Sequence, residues 1–171
     1  MTGRVDTASR LVRASPTAVY RAFVDPGALM TWLPPEGMSG RVLLFEPWEG
    51  GRYRIELTLL GEGHGLSGKT TERTDVTGGR FLELVPDRRI VQSVEFESAD
   101  PAFAGTMLMS WTLEPAPGGT GVTVTARDVP PGIPAEDHAA GLASSLDNLA
   151  AALRADEPRP RGPPRADQRE A

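Results

Sequence analysis

Arg52-Tyr53-Arg54-Ile55-Glu56-Leu57-Thr58-Leu59 alternates without a break, with Tyr53, Ile55, Leu57 and Leu59 on one side and Arg52, Arg54, Glu56 and Thr58 on the other. A period of two puts successive side chains on opposite faces, so this is a strand with one buried and one wet face. The same pattern returns at Thr106–Glu114, where Met107, Met109, Trp111 and Leu113 alternate with Leu108, Ser110 and Thr112. It returns again at Val122, Val124 and Ala126, interleaved with Thr123, Thr125 and Arg127. Between these last two runs Pro115-Ala116-Pro117-Gly118-Gly119-Thr120 is rich in turn formers, which predicts a hairpin. Weaker strands read at Arg4–Arg13, Arg41–Glu46, Arg80–Val85 and Ile90–Glu97. Half-wet strands of this kind belong to an antiparallel sheet.

Helices flank the strands. Ser15-Pro16 pairs an N-cap residue with proline at the first helical position, and Val19 and Phe23 then share a face. Asp25-Pro26 repeats the device and starts a second short helix carrying Leu29, Trp32 and Leu33. A long final helix starts near Pro134, has Glu136 and Asp137 in its first turn, and runs to about Leu153. Along it His138, Leu142, Leu146, Leu149 and Leu153 form one stripe. A curved sheet must cover its apolar face, and this helix is the one element long enough to do so. The expected fold is therefore α+β: six to seven antiparallel strands wrapped around a C-terminal helix, with two short helices after strand 1. One helix rarely fills such a concavity, so a pocket between sheet and helix is expected.

Composition narrows the function classes. The chain has 171 residues, no cysteine and two histidines, His64 and His138, which argues against disulfides, thiol catalysis, thiolate metal sites and a histidine-rich metal centre. A net charge of -5 argues against binding a phosphate backbone. Strictly apolar runs such as Val42-Leu43-Leu44-Phe45 are far short of a membrane span, and MTGRVDTASR has no apolar leader core, so a cytoplasmic location is expected. Arg154–Ala171 holds five arginines, four acidic residues and four prolines, with nothing apolar larger than alanine. Such a segment cannot offset the entropy of ordering, so 1–153 is read as the folded domain and 154–171 as a disordered tail. The single lysine, Lys69, against 17 arginines reads as codon bias of a GC-rich, bacterial genome.

Several stretches resemble the SRPBCC (START-like, birch-pollen-allergen-like) superfamily. Nearest is the branch named for the activator of the heat shock protein 90 ATPase. They are Ala14-Ser15-Pro16-Thr17-Ala18-Val19-Tyr20 with Phe23, Asp25-Pro26 through Trp32-Leu33, and Gly50-Gly51-Arg52-Tyr53. Leu82 through Val91, Gly118-Gly119-Thr120, and Gly141 through Leu149 follow in the expected order. Leu142 departs from the branch, which often has tryptophan there. The resemblance implies the helix-grip fold and a cavity for apolar ligands. It does not imply one activity, because the superfamily spans lipid carriers, hormone receptors, cyclases and co-chaperones. A chaperone partner rests on the family name alone.

Gly63-His64-Gly65-Leu66-Ser67-Gly68-Lys69-Thr70 matches the nucleotide P-loop pattern. That chemistry needs a helix N-terminus behind the glycines, whereas Thr70 through Gly79 is threonine-rich and has no helical stripe. The stretch reads instead as a glycine-rich connection spanning 61–79, either a plain loop or a lid at the cavity mouth. His138 lies one turn before Leu142, so its ring is expected to face the concavity, where the inward strand faces offer Tyr53, Trp111 and Gln92 as polar neighbours. Met107 and Met109, with Phe96 and Trp32, complete an adaptable apolar lining. Asp128 and Asp137 read as turn and cap residues.

The expected function is binding of a small apolar or amphipathic molecule, as a carrier or sensor, with no cofactor, metal, nucleic acid or membrane insertion. Its expected lining is Trp32, Tyr53, Ile55, Leu57, Phe96, Met107, Met109, Trp111, His138, Leu142 and Leu146. Two alternatives stand beside it: a cofactor-free cyclase, dehydratase or hydrolase using His138 as acid/base, and a co-chaperone or stress-response module. Trp32 and Met30, before Leu33-Pro34-Pro35, read equally as a pocket rim or a contact in a homodimer.

Overall fold

Two capped turns bend the chain straight after its first strand. In the computed structural model, which describes residues 3–61, 69–71 and 73–155, β1 spans Val5–Val12 and is followed by α1 (Pro16–Val24) and α2 (Pro26–Trp32). Ser15 Oγ accepts the Ala18 N–H and Asp25 Oδ1 accepts the Ala28 N–H, so each helix starts on a side-chain cap with proline behind it. The strands β2 (Met38–Phe45), β3 (Arg52–Leu59), β4 (Thr74–Val85), β5 (Arg89–Phe96), β6 (Met107–Ala116) and β7 (Gly119–Arg127) follow. A 3₁₀ turn at Pro101–Phe103 precedes β6, and the last helix, α3, runs Ala135–Ala155.

The seven strands form one sheet in the order β1-β7-β6-β5-β4-β3-β2, each antiparallel to its neighbour. Because β1 closes against β7, the two short helices carry the chain from one edge of the sheet to the other. The α+β helix-grip arrangement read from the sequence is the one present. The β6–β7 hairpin turns through Gly118 at φ 83°, a left-handed conformation that costs glycine little.

Two boundaries differ from the sequence reading. β4 begins at Thr74, six residues before the expected Arg80, and so takes in Gly78 and Gly79. The β-branched Thr74, Val76 and Thr77 suit an extended backbone, and Gly79 is in the strand because a neighbouring carbonyl occupies the place of a side chain: a Cβ there would lie 1.9 Å from Ser93 O. The same strand rules out phosphate cradling behind Lys69-Thr70, where a helix would have to begin. The final helix continues two residues beyond Leu153. Gly63 through Gly68, including His64, and the tail from 156 onward lie outside the described residues.

α3 packs on β1 and on the end of α2. Leu142, Leu146, Leu149 and Ala150 are buried with Val12, Val122, Val124 and Leu113 of the sheet. Each fully buried leucine contributes on the order of 1.5–3 kcal/mol. Polar bonds set the depth of the helix. Ser145 Oγ donates to Leu33 O at 2.8 Å, and Asn148 Nδ2 donates to Pro34 O at 2.9 Å and Trp32 O at 3.3 Å. The carbonyls that α2 leaves open at its C-terminus are thus satisfied by α3 side chains.

Candidate functional site

Two aromatic groups face each other under α1 and α2. In the first, Phe23 of α1, Trp32 of α2 and Trp111 of β6 meet edge to face, with ring centroids 4.8 Å (Phe23–Trp32), 5.0 Å (Phe23–Trp111) and 5.7 Å (Trp32–Trp111) apart. Trp32 is 1% exposed and donates its indole N–H to Ala22 O at 2.9 Å, which fixes its rotamer. In the second, Phe81 of β4 packs against Phe45 of β2 at 5.5 Å and Tyr53 of β3 at 5.3 Å. Leu29, Leu33, Ile55 and Gln92 close the space between the groups. Six of the chain's ten aromatic residues therefore converge on one cavity. It is small, about 20 Å³, with room for about one water molecule.

Both aromatics of the second group that flank Tyr53 sit beside β-bulges. The β2–β3 register shifts between Val42 and Leu44, and the β4–β5 register shifts between Phe81 and Glu83. A bulge re-aims the side chains beside it, and these two bring Phe45 and Phe81 to the cavity wall.

The cavity has a polar end. Tyr53 is 4% exposed and donates its hydroxyl to Ser93 O at 2.5 Å, while Gln92 Nε2 donates to the same hydroxyl oxygen at 3.3 Å. Burial pushes the Tyr53 phenol well above its ordinary range, and the Gln92 hydrogen bond opposes this only in part. Tyr53 is thus neutral at any ordinary pH. None of the lining residues carries a charge.

His138 lies elsewhere. Its Nδ1 is 2.7 Å from Asp6 Oδ2 on β1, and the two side chains are 13% and 12% exposed. Arg4 joins the group, donating to Asp6 Oδ2 at 3.0 Å and to Ile133 O at 2.6 Å. Burial raises the Asp6 carboxyl, but the hydrogen bonds from His138 and Arg4 outweigh it and hold the carboxyl below its ordinary range. This cluster pins the N-terminal turn of α3 to the edge strand.

Of the residues expected to line a pocket, the cavity gathers Trp32, Tyr53, Ile55 and Trp111. Leu142 and Leu146 are buried where α3 meets the main core, and Leu57 packs at its margin. Met107 belongs to a second apolar cluster with Val94, Ala126, Val129 and Ile133, and Phe96 packs against it. Met109 touches both clusters. No residue of α3 lines the cavity: the α1–α2 unit covers it instead. The lining also includes Phe23, Leu29, Leu33, Phe45 and Phe81, which the strand alternation did not select. Phe45 and Phe81 escaped because a bulge resets the period of two. Asp6 gave no signal, since Val5 through Arg10 has no apolar alternation to mark an inner face.

Sheet order, the α1–α2 crossover and the long closing helix define an SRPBCC, START-like helix-grip domain, a fold consistent with ligand binding. A model of the family described as Activator of Hsp90 ATPase homolog 1-like protein matches residues 13–154, and the chain belongs to that family. Protein CV1439 from Chromobacterium violaceum is 35% identical, with a TM-score of 0.76 over 86% of this chain and 94% of that one. An AHSA1-like protein from Aeromonas hydrophila is 18% identical, with a TM-score of 0.64 over 89% of this chain and 93% of that one. A Rhodobacter sphaeroides protein is 23% identical at a TM-score of 0.69, over 92% of this chain and 100% of that one. No curated protein matches the chain. Among the described residues, no helix is long and apolar enough to cross a membrane.

Proposed function

We propose that the chain binds a small apolar or amphipathic molecule between its two aromatic groups, as a carrier or sensor. The observation that carries this reading is the combination of six aromatic walls with one polar pair, the buried Tyr53 and the half-buried Gln92. Ligand sites combine apolar walls with a few placed polar groups in this way. Anything larger than water must part the rings, and Phe45 and Leu33, both half-buried, are the side chains with room to move. Affinity would come from apolar area removed from water, at about 25 cal/mol per Å².

The test is native mass spectrometry of protein purified from its own host, followed by denaturing extraction. A co-purifying apolar compound that is lost in a folded Ile55→Phe variant is the expected result. No adduct, together with no thermal shift across lipid and aromatic-metabolite libraries, would overturn the reading. His138 has in Asp6 the partner that acid/base catalysis requires, but neither residue lines the cavity, so the enzymatic alternative is not favoured. A second reading, docking of a protein partner, draws on Trp48 at 57% and Leu82 at 49% exposure. Their backbones are neighbours, since Gly50 N–H donates to Phe81 O at 2.7 Å. A Trp48→Ala variant that loses a partner while keeping its small-molecule adduct would support that reading.

A further inference from the structure

We infer that the chain's own C-terminal segment Pro158–Arg165 docks on the surface formed by Trp48, Leu82, Tyr20, Glu49 and Asp87. This is independent of the cavity, and it gives the face open to a protein partner an occupant within the same chain. Trp48 and Leu82 are 57% and 49% exposed, and the bond from Gly50 N–H to Phe81 O holds their backbones side by side. Glu49 follows Trp48 and accepts the Leu84 N–H at 3.2 Å, while Asp87 accepts the Thr17 hydroxyl at 2.9 Å. Tyr20 lies one turn beyond Thr17 on α1. Burial, and then the charges of Asp87 and Glu49, raise its phenol above the ordinary range, in keeping with two carboxylates close by. None of the ion pairs among the described residues includes Glu49 or Asp87. An exposed indole beside two carboxylates without a cation suits a basic, proline-rich segment. Prolines in the polyproline II form pack on aromatic faces, and guanidinium groups pair with carboxylates and stack on rings.

The chain carries such a segment. Pro158-Arg159-Pro160-Arg161-Gly162-Pro163-Pro164-Arg165 holds three arginines, four prolines and no acidic residue, between Asp156-Glu157 and Asp167. It lies beyond the described residues, and the end of α3 sets where it starts. His138 meets Asp6 and Asp147 meets Arg10, so α3 and β1 run in the same direction. At about 1.5 Å per helical residue, the stretch from Asp147 to Ala155 advances about 12 Å. A strand covers that distance in about four residues, which brings the end of α3 level with Ala14, just before α1. Leu153 and Ala14 pack against the same core. Thr17, bonded to Asp87, is therefore near the point where the tail departs. Eight residues of polyproline II span about 25 Å. The path to be covered is shorter, since Asp87 to Leu84 extends at most about 11 Å and Leu84 is bonded to Glu49, beside Trp48. So short a tether gives a local concentration of about 1 mM, so a contact with a dissociation constant of about 1 mM is formed about half the time.

The chain has no cysteine, so Ala166→Cys offers a single attachment point for a nitroxide. In the full chain so labelled and enriched in nitrogen-15, the Trp48 indole and the amides of Glu49, Leu82 and Asp87 should lose about half or more of their cross-peak intensity relative to the reduced label. Val5 and Asp6, at the far end of β1, should keep theirs. Reversing the tail charges in Arg159→Glu/Arg161→Glu/Arg165→Glu, or removing the partner charges in Glu49→Gln/Asp87→Asn, should restore the intensity. Asparagine tolerates the left-handed φ of 65° at position 87, and unshifted cross-peaks elsewhere show the variants to be folded. No loss at the Trp48 face, loss spread evenly over the chain, or a loss that persists in either variant would overturn the inference. So would broadening of Trp48 in enriched, unlabelled chains mixed with spin-labelled, unenriched ones, because the surface would then belong to the tail of a second copy.

Discussion

Replacing Tyr53 by phenylalanine removes one oxygen and probes the polar end of the cavity directly. The hydroxyl makes two bonds, a short one to Ser93 O and a longer one from Gln92. Gln92 is half-buried and can recover a water, so only the first bond is lost outright. A buried neutral hydrogen bond is worth about 1 kcal/mol, and a buried carbonyl left without its donor adds to the cost, giving about 1.5–2 kcal/mol for Tyr53→Phe. At a urea dependence of about 2 kcal/mol per molar, the midpoint should fall by about 0.8–1 M with the slope unchanged. Tryptophan fluorescence reads the transition. The pH dependence gives a second signature. Tyr53 in the folded chain titrates far above an unfolded tyrosine, whose ordinary value is 10.0. Its stabilising contribution is complete below pH 10 and is lost as pH rises beyond that, because only the unfolded state then releases the proton. Tyr53→Phe should therefore flatten the loss of stability above pH 10. A midpoint shift under about 0.2 M, or an alkaline limb as steep as the wild type's, would refute the burial and bonding assigned to this hydroxyl.

Gly79→Ala should destabilise by about 2–3 kcal/mol in the same urea assay, since its Cβ would meet Ser93 O at 1.9 Å and the backbone would have to move. Gly141→Ala, with nothing within 4 Å of the added carbon and a helical backbone, should stabilise by about 0.5–1 kcal/mol. Asp6→Asn should cost about 1–2 kcal/mol at pH 7 by weakening the bonds to His138 and Arg4. The wild-type carboxyl, held below its ordinary value of 3.8, contributes stability above that pH and loses it as pH falls through the folded value. Asp6→Asn should accordingly flatten the acid limb of a thermal-melting profile between about pH 5 and 2. Lys69→Met should destabilise by about 1–3 kcal/mol by leaving Asp75, 8% exposed, without its ion pair, while Lys69→Arg should recover much of the loss.

The fold was legible because it is written in local patterns. Alternation at Arg52–Leu59 and Thr106–Glu114, the Ser15-Pro16 and Asp25-Pro26 caps, and the leucine stripe of α3 each depend on residues a few positions apart. They named the elements, and the need to cover one apolar sheet face named the architecture. The β4 boundary was not legible, because Gly78 and Gly79 read as a break until Ser93 O is seen in the space a side chain would fill.

What the sequence determined by itself is the set of elements and the residues each must bury, since periodicity reports a face. Which face meets which was decided only in three dimensions. The final helix, expected to roof the pocket, settles over β1 because Ser145 and Asn148 tie it to the open carbonyls of α2. Trp32, Leu29 and Phe23 then become the roof. Two bulges, invisible as alternation, turn Phe45 and Phe81 into walls. His138 is drawn aside by Asp6, a residue 132 positions away. The site is built from contacts between distant segments, and no local pattern encodes a distance between them.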